Sequence, residues 1–305
     1  MKYPPIIAIQ GGLGNQLFQW FYAHEILAGR NFSLYAKYAE RPSVNVIRKF
    51  GLSPMIERCN HWGKIYEETV HLSKRNLLPK IFDRLWRIPF FFHPLQTIGF
   101  FQGDAKIKIR VNWARLNHAF YVNGYFQKWN YAQNQHQWVH AELLPVLRTL
   151  YLDLSKEFDL SQPYTAIHIR RGDYRLDQVS DTRIGCLDDE YFIQWAIEHP
   201  SSRIILLVED KSEIENLVSS IKPALVLDNN STTPWETLAI MSAASMFLGS
   251  NSSLSWWGAW TASINGASTF LPSKWDVMER FNSSDFLFPD CEPFAPVWES
   301  NITSI

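Results

Sequence analysis

Arg170 and Arg171 stand between the apolar residues Ala166, Ile167 and Ile169 and the pair Gly172, Asp173. This reads as a buried strand running into a charged loop at its carboxyl end, where open α/β sheets bind ligands. Arginine offers a planar fork of donors that matches phosphate oxygens two at a time and stays charged. A diphosphate pocket is the first expectation. A second stretch, Phe247-Leu-Gly-Ser-Asn-Ser-Ser-Leu-Ser-Trp-Trp-Gly-Ala-Trp260, reads as a strand end, a few small polar residues and a helix start. Ser250, Asn251, Ser252 and Ser253 all suit an N-cap. The free N–H groups and positive dipole end of a helix start attract anions. Capping alone would explain one serine, but two anion-attracting ends in one sheet point to a bound diphosphate.

A third stretch, Gly11-Gly-Leu-Gly-Asn-Gln16, lacks the G-x-G-x-x-G spacing, and no acidic residue ends a second strand about 20 positions later. It reads as a tight turn exposing Asn15 and Gln16 at a helix start. No Walker A pattern, G-x-S-x-G elbow or Asp-x-Asp triplet occurs. Arginine and a helix end could neutralise a diphosphate without metal. Asp188-Asp189-Glu190 falls where a helix begins, so it reads as dipole compensation rather than a metal site.

The elements that must position these residues follow from periodicity. Ile6–Ile9 suits a strand, and Leu17, Phe18, Phe21, Tyr22 and Leu27 recur at helical spacing over 16–28, with Gly29 as a stop. Val122–Tyr131 reads as strand and loop, and 136–160 as helix. Beyond Gln162-Pro163 strands near 165–169, 203–208, 224–227 and 246–249 alternate with helices near 188–199, 211–220 and 235–244, which implies a mostly parallel sheet. The domain reading is 1–160, 161–280 and a tail, 281–305, packing back on the first domain. Leu77–Phe92 mixes bulky apolar residues with Lys80, Arg84 and Arg87. It reads as a helix on the first domain's core or, second, as a patch docking on an anionic membrane.

A net charge of −1 gives no electrostatic case for nucleic acid. The 13 tryptophans suit sugar or membrane-interface contacts, or simply an aromatic core. Three dispersed cysteines argue against a disulfide framework or zinc site and favour a reducing compartment. No signal peptide or spanning run is evident. The expectation is a cytoplasmic protein, with peripheral association on the inner membrane face as an option.

Together, Gly11–Gln19, His168-Ile-Arg-Arg-Gly-Asp-Tyr174 and Ser250–Trp260 resemble the α-1,2-fucosyltransferases of glycosyltransferase family 11, with Gly124-Tyr-Phe-Gln127 and Leu271-Pro-Ser-Lys-Trp275 as further matches. The resemblance implies an α/β fold of GT-B type, two Rossmann-like domains with a cleft between them. It implies inverting transfer of L-fucose from GDP-β-L-fucose to the 2-hydroxyl of a galactose-type or GalNAc acceptor, as in O-antigen, with no cofactor and no required metal. Carried over by position, Arg170 grips the diphosphate and Asn15 lies near the departing oxygen or the fucose. His168, Arg171, Asp173, Asp210, Ser252 and Ser253 form the donor side, although Arg171 has a competing structural role and Asp173 an orienting one. Gly14, Gln16, Tyr125, Gln127 and Trp256 are acceptor or fucose contacts. The partners implied are a nucleotide sugar and a glycan acceptor, lipid-linked in one version.

Two positions depart from the family. Thr237 stands where an aspartate is expected, with Glu236 as a substitute for reading guanine, and Val208-Glu-Asp210 replaces Ser-Asp-Asp. No general base is identified; His24, Glu25 and Asp177 are candidates. Two alternatives stay open: a transferase for another GDP-6-deoxyhexose such as colitose, and a non-catalytic carbohydrate-binding protein.

Overall fold

The computed structural model describes residues 6–9, 11–27, 33–36, 100–103, 121–176, 184–279 and 281–299. The chain divides into two compact units, Met1–Glu142 and Leu143–Ile305. In the first, β1 (Ile6–Ile9), β2 (Ser33–Ala36), β3 (Phe100–Gly103) and β4 (Tyr121–Gly124) pair in parallel in the order β2-β1-β4-β3. Between β1 and β2 runs α1 (Leu13–Leu27), which buries Leu13, Leu17, Phe18, Trp20 and Phe21. Its start lies three residues before the expected Gln16, because Gly11 turns the chain with φ +78° and Gln16 N–H already donates to Gly12 O.

The second unit contains α2 (Leu144–Glu157), β5 (Thr165–His168), α3 (Gly172–Leu176), α4 (Asp189–Glu198) and β6 (Ile204–Leu207). It continues with α5 (Glu215–Ile221), β7 (Leu225–Leu227), α6 (Pro234–Ala243), β8 (Met246–Leu248), α7 (Ser253–Ile264), β9 (Ser268–Pro272) and β10 (Cys291–Phe294). Its six strands are parallel in the order β10-β9-β8-β5-β6-β7. Counted from β5, that is the doubly wound order 3-2-1-4-5-6 read from the far edge, so the winding reverses between β5 and β8. Helices cover such a sheet on both faces, so its central strands should be buried at every position rather than at alternate ones. Every residue of β5 and β6 is indeed buried.

Caps fix the helix ends. The Asp188 carboxylate accepts from Glu190 N–H at the start of α4, as dipole compensation requires. Thr233 and Glu236 close a reciprocal capping box on α6. The helix expected over 136–160 is instead a turn at His136–Trp138, a π-helical stretch at Val139–Leu143 and then α2, with Pro145 in its first turn. Proline is tolerated there because a first-turn N–H has no intrahelical acceptor. The sequence reading contained no β10. This strand extends the second sheet, and Phe294, Val297 and Trp298 pack on that unit's core.

Among the described residues the tryptophans serve largely in packing: Trp20, Trp195, Trp235, Trp256 and Trp257 are fully buried. Among the described residues no helix is long and apolar enough to cross a membrane. The 77–92 segment lies outside them.

Candidate functional site

In the second unit the loops after β5 and β8 leave adjacent strands at the point where the winding reverses. That is where a doubly wound sheet opens a crevice. One hydroxyl joins the loops: Ser250 Oγ donates to His168 O at 2.7 Å and accepts from Arg170 N–H at 3.0 Å. Ser250 N–H in turn donates to Ser255 Oγ at 3.1 Å. Gly249 lets the strand end come this close, because a Cβ there would stand 2.7 Å from Leu271 Cδ2 and 2.9 Å from Ser255 Cβ. Ser252 is the N-cap of α7 and accepts from Leu254 N–H, with Ser253 as the first helical residue. The arginine loop and the helix start thus form one hydrogen-bonded unit.

The two arginines have separate surroundings. Arg170, with its side chain 28% exposed, donates to the Glu209 carboxylate and lies over the Tyr174 ring, 5.4 Å from its centroid. Glu209 follows β6, the strand beside β5, and its other oxygen accepts from Arg171 N–H at 3.2 Å. A side chain at Gly172 would collide with that carboxylate. Arg171 is only 3% exposed. Its guanidinium donates to Glu213 O at 2.7 Å and to Asp189. Arg170 therefore sits where a ligand can meet it, while Arg171 is turned into the unit to tie α4 to the loop before α5. The sequence placed Arg171 on the donor side; its buried partners give it the structural role.

His168 was expected to contact a nucleotide, but it lies beneath the loop, buried, with Nδ1 2.6 Å from Ser255 Oγ. Burial first, then the Arg170 charge, pushes its pKa down to about 3. A neutral imidazole can accept from the Ser255 hydroxyl, leaving that oxygen to accept from Ser250. The sign for stability follows directly. The unfolded chain binds a proton near pH 6.5 that the folded chain refuses until about pH 3. The contribution is whole above the unfolded value and is lost as pH falls through that window, by up to about 1.4 kcal/mol per pH unit. His168→Asn, which keeps an acceptor but does not titrate, should flatten the acid limb of stability in urea unfolding. An unchanged slope would show that the ring is not held neutral.

Other expected residues are placed less directly. Asp210 caps its own 3₁₀ turn, accepting from Ser212 N–H and Oγ, and the Ser212 backbone bond holds its carboxyl below the usual range. Asp173 belongs to α3 by its backbone. Trp256, expected at the acceptor, is fully buried and donates through Nε1 to Phe286 O at 2.6 Å, so it is a core ring. Glu236 is engaged in its capping box, and buried Thr237 shares a 3.0 Å hydrogen bond with Thr232. Sequence reasoning took the acidic pair Glu209-Asp210 as suited to nucleotide or ribose hydroxyls, whereas Glu209 pairs with Arg170, and it gave Tyr174 and Ser255 no role of their own.

The first unit brings its candidates together separately. β1 and β4 are neighbours, and the segments following them carry Asn15 and Gln127. Gln127 Nε2 donates to Asn15 Oδ1. Tyr125 is exposed on the same loop, and Phe126, with φ +52°, stacks on Tyr22 at 3.9 Å between centroids. A bulky residue with positive φ is unfavourable unless its surroundings enforce it. Here the stacked ring holds Phe126 inward while its neighbours Tyr125 and Gln127 stay at least partly accessible. Gly14 is buried; Gln16 is buried too and donates to Gly11 O at 2.8 Å, so it braces the turn. Of the three base candidates, Asp177 and the side chains of His24 and Glu25 fall outside the description.

Comparison with known proteins bears on the whole chain. An alpha-1,2-colitosyltransferase of Escherichia coli is 23% identical over 305 residues, covering 92% of this chain and 95% of that protein. The O-antigen biosynthesis glycosyltransferase WbnK of Escherichia coli is 23% identical over 290 residues, covering 88% and 93%. The crystal structure of fucosyltransferase NodZ from Bradyrhizobium aligns at 11% identity and a TM-score of 0.42, over 84% of this chain and 92% of that one. Residues 6–288 match the family model described as Glycosyl transferase family 11, a span that takes in the Asn15 turn, the arginine loop and the Ser250 helix start. The chain belongs to glycosyl transferase family 11.

Proposed function

We propose that this is an inverting transferase of GT-B type that uses a GDP-activated 6-deoxyhexose, L-fucose in the first reading, and delivers it to the 2-hydroxyl of a galactose-type or GalNAc acceptor in an O-antigen-like glycan. The observation that carries the reading is the joining of Arg170 and the α7 start by Ser250 at the reversal between β5 and β8. In a single displacement the acceptor oxygen bonds to the anomeric carbon as the bond to the β-phosphate oxygen breaks. The acceptor loses its proton, and negative charge gathers on the leaving diphosphate. Arg170 and the N-terminal end of α7 stand ready to stabilise that charge without rearrangement. They supply positive charge from the chain itself, so the reading includes no required metal.

A colitose donor fits the same diphosphate site equally well, and one relative is named for that sugar. A non-catalytic sugar binder draws no support from tryptophans that are buried.

The test is an assay with GDP-fucose and with GDP-colitose against β-galactoside and GalNAc acceptors, with and without EDTA. GDP release with a 2-linked fucosyl product, undiminished by EDTA, is expected. Turnover of GDP-colitose alone would replace the first donor by the second. Loss of activity with EDTA would overturn the metal-free reading, and no turnover of either donor would overturn the substrate class.

A further inference from the structure

We infer that Glu299, about 130 residues beyond the arginine loop in sequence, is a positioning residue for the donor diphosphate; this rests on the donor reading above. The backbone brings it there. Asp188 N–H donates to Val297 O at 2.9 Å and Glu299 N–H to Cys186 O at 3.0 Å, around an antiparallel bridge between Leu187 and Trp298. Residues 297–299 therefore form a clip against the segment that enters α4. Trp298 anchors the clip on the unit's apolar core, and Gly185 leaves room for the indole, because a Cβ there would stand 3.0 Å from Trp298 Cε3.

The clip delivers a carboxylate to the flank of α3. Glu299, only 16% exposed, accepts from Arg175 Nε at 3.1 and 3.2 Å and from Arg175 Nη2. Its Oε1 also lies 4.0 Å from Arg171 Nε, a buried donor that makes no hydrogen bond. Glu213 adds a second carboxylate 3.5 Å from Arg175 and lends its carbonyl to Arg171. α3 is a short helix that carries Tyr174, the ring beneath Arg170, next to Arg175. Tyr174 OH reaches Asn251 O at 3.3 Å, so its ring touches both loops of the site. A carboxylate that fixes Arg175 and faces Arg171 thereby fixes the platform that aims Arg170. Glu299 itself touches no donor atom; it acts through α3. Errors of about 1 Å in such a platform are costly, because aligned groups act only within a narrow geometry.

The experiment measures binding of GDP and of guanosine to the full chain and to Glu299→Gln, an isosteric change that keeps the clip's backbone bonds. The GDP-over-guanosine preference should fall about fivefold to tenfold, because the phosphates and not the nucleoside depend on Arg170. Arg175→Ala should lower it similarly, and the double variant should add little, as expected for two ends of one interaction. Glu279→Gln, on the exposed Lys274 pair, is the control and should leave the preference unchanged. An unchanged preference in Glu299→Gln, with or without a lower unfolding temperature, overturns the inference and leaves only a structural clip. Parent protein that binds no GDP overturns the donor reading itself.

Discussion

Arg170→Ala will lower donor turnover by about 10²–10³-fold, the usual cost of removing one preorganised donor from a site of developing charge. Its unfolding midpoint should stay close to that of the parent. The guanidinium is partly exposed, and its partner Glu209 is accessible enough to be hydrated when the arginine is gone. The Glu209 carboxylate also keeps the Arg171 N–H bond, so the loop retains a tie. Arg170→Lys restores charge but not the planar fork, and should recover only part of the loss. Turnover and urea unfolding measured on the same preparations decide the matter. A variant with more than about a tenth of parental turnover would remove Arg170 from the reaction.

Arg171→Ala should do the reverse, costing about 1–3 kcal/mol of folding stability, the usual cost of leaving buried hydrogen-bonding groups without their partner. The variant leaves Asp189 without its cation and Glu213 O without a donor. Asn216 still donates to Asp189 at 2.8 Å, which places the expected loss toward the lower end. Donor turnover per folded molecule should fall far less than in Arg170→Ala. Urea midpoints and turnover at a temperature where both variants are folded test the contrast. Preserved stability with abolished turnover would exchange the two roles.

The sequence reading gave Arg170 the diphosphate by resemblance and Arg171 a competing structural role, yet several partners were beyond its reach. Arg170 meets Glu209 because β6 lies beside β5, and strand order is not written in periodicity. The same limit hid the place of Ser250 between two strand ends 80 residues apart. His168 was expected to share the face of Arg170, which holds only while the strand runs straight; the structure ends β5 at His168 and buries the ring under the loop. By contrast, the helix start at Ser252–Ser253, the cap at Asp188 and the alternation from 165 to 248 were legible, because each depends on near neighbours. β10 was not. It is four residues long and contains Pro293, which demotes a strand pattern even though proline is tolerated on an edge strand.

The Ser250 hydroxyl has a consequence for anyone who wishes to change the sugar this protein handles. Its two bonds make the segments after β5 and β8 a single mechanical part, although 80 positions separate them in the chain. The Ser250 bonds run to backbone groups that a transplanted segment keeps, but a chimera that brings in a segment without His168 beside the resident Ser255, or the reciprocal exchange, would break the buried side-chain pair of the His168 ring and the Ser255 hydroxyl, 2.6 Å apart. Productive recombination must move both pieces at once, with Glu209 accompanying the arginine it faces.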